Sequence, residues 1–253
     1  MKKVLTIFLF FVITFSFSQK VKKRQITSKQ VDAIFSKWNT SNKPGIAVGV
    51  LNNGKMVYAK GFGLANLEHQ IPVTSTTKFH IGDIAKEFTV YALLLLEEQG
   101  KLSLQDDIKK YMPQLPFPNS VAVQQLIHHT SGLNNNEVFK ALAGWKQEDV
   151  FTKKQAYALI ENQLKNASNN NTEQIVSDAG FMILEDLIAK ISKMTYEDFV
   201  TKEIFKPLGM KNSVFDINGN IISNKAQGYF AQGDDFVNST ANCAASPLAN
   251  PIG

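Results

Sequence analysis

The chain has 253 residues, 44% hydrophobic and 19% charged, a balance that excludes a disordered or low-complexity protein. Its formal charge is +5, and with Lys2 and Lys3 in a segment expected to be removed, the mature chain would carry +3. So small and scattered a charge gives no ground for nucleic acid as a partner, and the single cysteine, Cys243, excludes an intramolecular disulfide and a multi-cysteine zinc site.

The N-terminus reads as an export signal. Met1-Lys2-Lys3 is a basic start, Val4 to Phe17 is apolar apart from Thr and Ser, and Ser16-Phe17-Ser18 places small residues at −3 and −1 before Gln19. The apolar run is shorter than the roughly 20 residues a spanning helix needs. Residues 1–18 are therefore expected to be a signal peptide, 19–26 a basic linker, and the protein a secreted or periplasmic one from a bacterium, with no membrane span after signal removal.

The domain proper is expected over 27–253. Ser28 is placed as the cap of a helix running to about Asn39, with Val31, Ile34, Phe35 and Trp38 at helical spacing. Two β-rich runs, Gly45 to Leu51 and Lys55 to Phe62, flank Asn52-Asn53-Gly54 and predict a hairpin. The first run is apolar throughout, as a strand covered on both faces would be. Residues 27–66 thus hold a helix and a hairpin, and residues 67–218 are mainly helical. The apolar run Phe88 to Leu96 stops at Gly100, and further helices are expected near 106–111 and 121–128 and over 152–165, 177–192 and 195–205. Residues 219–253 carry few periodic features and are read as an irregular tail. A two-stranded hairpin is marginal alone, so its missing strands are expected from sequence beyond Gly253.

Seven segments, in order, resemble the serine β-lactamase and penicillin-binding-protein-like family, especially its class C branch. They are Pro44 to Val50, Tyr58 to Asn66, Phe79 to Thr89, Leu95 to Asp107 followed by Tyr111-Met-Pro113, Leu126-Ile-His-His-Thr-Ser-Gly-Leu133, Ser177 to Phe181, and Ile204 to Met210. The resemblance implies an α/β (α+β) fold, an antiparallel sheet flanked by helices with an all-helical lobe beside it, here without the sheet's C-terminal strands. It also implies acyl transfer through an acyl-enzyme on β-lactams, D-Ala-D-Ala peptides or esters. The serine and lysine of Ser-x-x-Lys lie one helical turn apart, where the amine can take the hydroxyl proton. A Tyr-x-Asn motif adds a proton relay and a substrate contact, and a late Lys/His-x-Gly strand closes the pocket.

This chain departs from that pattern three times. The Ser-x-x-Lys position reads Asp83-Ile84-Ala85-Lys86, so the general-base position is filled and the nucleophile position is not. Asp83 is expected to pair with Lys86 as a buried or half-buried ion pair and raise its pKa, when base catalysis needs it lowered. Val176 stands at the Tyr position and Asp178 at the Asn position; valine has no proton to relay, and the carboxylate lacks the amide's donor. No Lys-Thr-Gly or His-Thr-Gly follows residue 178.

Other matches carry less. Ser75-Thr-Thr-Lys78 fits Ser-x-x-Lys but sits in a Thr-rich approach loop, and Ser168-Asn-Asn170 fits Ser-x-Asn inside an Asn-rich loop. His128 and His129 point about 100° apart on a helix and suit cap and packing roles better than chelation. No cofactor or metal is inferred. The expected protein is a truncated family member, catalytically impaired, that binds a peptidoglycan-like, peptide or small ester or amide ligand if it binds any. The alternatives are an active esterase or peptidase using another hydroxyl, such as Ser75, and a non-functional gene fragment.

Overall fold

The structure, a computed structural model, describes residues 26–145, 152–166, 174–217, 220–239 and 251–252. The expected signal peptide and nearly all of the expected basic linker lie outside them, as do Ser168 to Asn170 and Cys243. The N-terminal helix α1 (Ser28–Phe35) continues as a 3-10 turn, Ser36–Trp38. Its cap is Thr27 and not Ser28. The Thr27 hydroxyl accepts the Gln30 amide while the Gln30 side chain accepts the Thr27 amide, a reciprocal pairing that needs Gln three residues after the cap and so selects Thr27.

The hairpin forms where the Asn-Gly turn predicts it. Strands β1 (Ile46–Asn52) and β2 (Lys55–Phe62) pair antiparallel, with Asn53 at φ 51° and Gly54 at φ 72° supplying the left-handed turn. Gly61 is required by a close approach, since a Cβ there would meet the Val73 carbonyl oxygen at 2.1 Å. Among the described residues β1 and β2 pair only with each other, apart from a bridge between Pro44 and Leu64 where the hairpin begins. The expectation of cover on both faces of β1 is not met, because its residues alternate between half-buried and exposed. An apolar run permits two-sided burial but does not supply the second partner.

Two short strands follow, β3 (Leu64–Asn66) and β4 (Ile71–Pro72), and pair with each other. The chain then becomes helical: α2 (Ala85–Glu98), α3 (Val123–Ile127), α4 (Asn136–Leu142), α5 (Lys153–Asn166), α6 (Asp178–Ser192) and α7 (Tyr196–Val200), the last running on into a π turn, Thr201–Phe205. Helix α4 has no counterpart among the expected elements. Helix α6 is the axis of this lobe, packed by α2, α3 and α7. Leu93 and Leu96 of α2, Leu126 of α3, and Ile183, Leu184, Leu187 and Ile188 of α6 are fully buried in one cluster. Gly100, at φ 68°, ends α2 as expected.

The stretch read as an irregular tail contains regular structure. Strand β5 (Val214–Phe215) pairs with β8 (Pro251–Ile252), and β6 (Tyr229–Gln232) and β7 (Asp235–Asn238) form a second hairpin turning at Gly233. The Tyr229 hydroxyl contacts Glu68 and accepts the Leu67 amide at 2.8 Å, and the Gln227 amide reaches Ala65, so long-range contacts hold a segment whose own pattern is weak. The fold is mixed α/β, with small antiparallel sheets and a helical lobe.

Candidate active site

The site is set by two helix starts. Gly82–Ile84 form a 3-10 turn, entered through Gly82 at φ 54°, that leads directly into α2. Asp83 lies in that turn and Lys86 one turn later, with Lys86 Nζ 3.0 Å from Asp83 Oδ1. The start of α6 brings Asp178, whose Oδ1 is 2.7 Å from the same nitrogen. Asp178 is in the first turn of α6, where a carboxylate also meets the positive end of the helix dipole.

The two carboxylates differ in setting. The side chain of Asp83 is 86% exposed and that of Asp178 38%, against 20% for Lys86. The pair expected as buried or half-buried is formed by a half-buried lysine, with the Asp83 carboxylate in water and the Asp178 carboxylate held against it. Burial by itself pushes the Lys86 pKa down, but the hydrogen bonds it donates to Asp178 first and Asp83 second outweigh it and leave the ammonium above its ordinary 10.5. Lys86 Nζ also lies 5.5 Å from the centroid of the Phe181 ring, which favours the cation further.

The four sequence-expected positions do not stand alike. Asp83, Lys86 and Asp178 come together, whereas Val176 is 58% exposed in the segment before α6. The alternative nucleophile, Ser75, lies in a loop whose other polar side chains bond locally or to a distant segment. The neighbouring threonines Thr74, Thr76 and Thr77 hydrogen-bond among themselves, and Lys78 Nζ donates to the Ser223 carbonyl at 2.9 Å. Among the described residues no group of three His, Cys, Asp or Glu side chains is placed to hold a metal ion.

Two participants escaped the sequence reading. Phe181, one turn beyond Asp178, supplies the ring under Lys86; its spacing from Asp178 on a helix is the signal that could have found it. His129, for which cap and packing roles are expected over chelation, is the other. It follows His128, the residue that ends α3, and its Nδ1 accepts the Ser177 amide at 3.2 Å while its ring lies 5.3 Å from Phe181.

The Beta-lactamase family model matches residues 30–248. A penicillin-binding protein of Bacillus subtilis (strain 168) is 26% identical over 191 residues, 75% of this chain and 42% of its own length. The flp protein of Staphylococcus aureus (strain MRSA252) is 26% identical over 219 residues, 82% of this chain and 42% of its own. Among solved structures, the octameric penicillin-binding protein homologue from Pyrococcus abyssi superposes with a TM-score of 0.73 at 28% identity, covering 90% of this chain and 53% of that one. A class C β-lactamase gives 0.64 at 28% identity, covering 88% and 58%. The chain thus spans about half the length of the relatives it matches. Among the described residues no helix is long and apolar enough to cross a membrane. The family match runs through both helix starts and the lysine between them, and the fold agrees with it: the chain belongs to the β-lactamase family of penicillin-binding-protein-like serine hydrolases.

Proposed function

We propose that this chain is a β-lactamase-related protein in which the parent acyl transfer is lost. The observation that carries this reading is the state of Lys86, an ammonium shared by two carboxylates, one of which stands where the family has its serine. Nucleophilic catalysis needs a hydroxyl or thiol in hydrogen-bond contact with an unprotonated base. Here the base holds its proton, and the group in the nucleophile's place is a carboxylate. Attack by Asp83 on an amide would have to form an anhydride, a less stable acyl compound than the amide it replaces, and expel an amine, a poor leaving group. Valine at position 176 provides no relay. What remains for the surface around Lys86 is binding of a peptidoglycan-like, peptide or small ester or amide ligand, in keeping with relatives named for penicillin binding. The basic and apolar start of the chain supports export to the periplasm or medium.

The test is covalent labelling. The chain is incubated with a fluorescent penicillin and with a broad ester probe, then weighed intact. No acyl mass is expected, and an adduct on any hydroxyl would overturn the reading. Asp83→Ser alone should stay at background because Asp178 still holds the Lys86 proton. Slow ester turnover should emerge only when Asp178→Asn is added, since groups acting as one unit are not additive.

A further inference from the structure

His129 occupies a backbone conformation that side chains rarely adopt, with φ at 59°. Such a residue persists where its surroundings over-determine it, and here they do. Its amide donates to the Leu126 carbonyl at 3.3 Å, its carbonyl accepts the Ile175 amide at 2.9 Å, and its Nδ1 accepts the Ser177 amide at 3.2 Å. One residue therefore receives two alternate amides of the segment that launches α6. Ser177, which flanks the first turn of α6, does not cap the helix with its hydroxyl; it donates instead to the Asn134 carbonyl at 2.9 Å. Ser177 is thus held at both its amide and its side chain, and Asp178 is the next residue.

We infer that His129 is the positioning residue of the Lys86 centre: through its Nδ1 it fixes Ser177, and so aims the Asp178 carboxylate at the ammonium. An imidazole nitrogen that accepts an amide proton is unprotonated, which places the ring proton on Nε2. Protonation at Nδ1 would remove the acceptor and release the Ser177 amide. Burial first and the Lys86 charge second hold the His129 pKa below its ordinary value, opposed by Asp178 and Asp83 and reinforced by His128, so the latch is closed at neutral pH and opens in acid. This inference concerns the same centre as the lost acyl transfer but reads proton affinity, not turnover. An acyl adduct would overturn that reading and leave this one standing.

The test compares two variants of the 253-residue chain. His129→Gly accepts the left-handed backbone and removes the acceptor, whereas His129→Asn accepts the same backbone and returns an oxygen acceptor. Each is trace-acetylated at fixed pH and the rate at Lys86 is read by peptide mass spectrometry, with Lys110, which pairs with Asp106 at 2.9 Å, as the internal control. His129→Gly is expected to raise Lys86 labelling about 3–10-fold, equivalent to lowering its titration midpoint by half to one pH unit. His129→Asn should stay within about twofold of the parent, and Lys110 should not change in either. Asp178→Asn should also accelerate Lys86, and adding His129→Gly to it should add nothing. Unchanged Lys86 labelling in His129→Gly would sink the inference, as would additive effects in the double variant or failure of His129→Asn to rescue. Should His129→Gly not fold, an NMR titration of the parent decides. The Ser177 amide must move with the His129 ring at one midpoint below about 6.5; independent movement overturns the latch.

Discussion

The helical lobe and the β1–β2 hairpin are both rich in apolar residues, and they bury them oppositely. Leu93, Leu96, Leu126, Leu184 and Leu187 have no exposed surface, while Leu51, Met56 and Val57 of the hairpin are 66%, 57% and 52% exposed. The lobe closes on itself because α6 presents apolar residues to α2, α3 and α7 at once. The hairpin pairs with no further strand among the described residues. The difference matters for function because the starts of α2 and α6, which carry Lys86 and Asp178, belong to the lobe. The Lys86–Asp178 contact is therefore held by a packed core. The loss of base catalysis proposed above would then come from the chemistry of the residues in place, and not from a collapsed scaffold.

The largest effect should separate the two regions directly. Leu184→Ala removes a side chain with no exposed surface and is expected to cost about 2–5 kcal/mol in denaturant unfolding. Leu51→Ala should change stability by less than about 0.5 kcal/mol. Comparable losses at both positions would mean that the hairpin face is covered in solution and would erase the contrast.

The lobe also holds a costly group. Burial pushes the Glu185 carboxyl up to about 8, with Lys153 opposing and Asp186, Glu197 and Asp178 reinforcing. A folded pKa raised above the unfolded value of 4.5 means that the unfolded chain ionises first as pH rises. The stability present below 4.5 is then lost progressively up to about 8. Glu185→Gln should therefore match the parent near pH 4.5 and exceed it at pH 8, by on the order of 2–4 kcal/mol. Parallel pH curves for parent and variant would refute this.

A smaller effect tests the polar link between α2 and α7. The hydroxyls of Thr89 and Tyr196 lie 2.8 Å apart in the interior. Thr89→Val leaves the tyrosine hydroxyl unpaired and should destabilise by about 1–3 kcal/mol, and Tyr196→Phe added to it should recover part of the loss. No recovery would mean that the pair contributes through packing alone.

The two regions were also unequally legible in the sequence. The turn at Asn53-Gly54 was readable because a tight hairpin needs positive φ and those residues accept it, and Gly100 marked the end of α2 for the same reason. Asp83, Lys86 and Asp178 were picked out by matching segments to a family, and their meeting in space follows from that fold. Coverage of β1 was not readable, since an apolar run does not say what lies on its second face. The β6–β7 hairpin was missed because its supports, Tyr229 on Leu67 and Gln227 on Ala65, are long-range. The same holds for His129, whose Nδ1 meets an amide far along the chain that no local pattern marks. The relative weight of the two aspartates was also hidden. The sequence presented Asp83 as the partner of Lys86, one turn away, while the stronger contact comes from another helix.

That last point gives the smallest expected effect and the sharpest test of how the site is held. Asp83 carries a side chain 86% exposed, so its attraction to Lys86 acts largely through water, and ion pairs of that kind contribute about 0–1 kcal/mol. Asp83→Asn should leave unfolding stability within about 0.5 kcal/mol of the parent and keep Lys86 slow to acetylate. Asp178 lies closer, is less exposed and sits at the head of a helix anchored in the core. Asp178→Asn should free the lysine, visible as faster acetylation at fixed pH. If Asp83→Asn proved the stronger of the two, the lysine would be governed by the exposed turn before α2, and the packed lobe would not be what holds it in its protonated state.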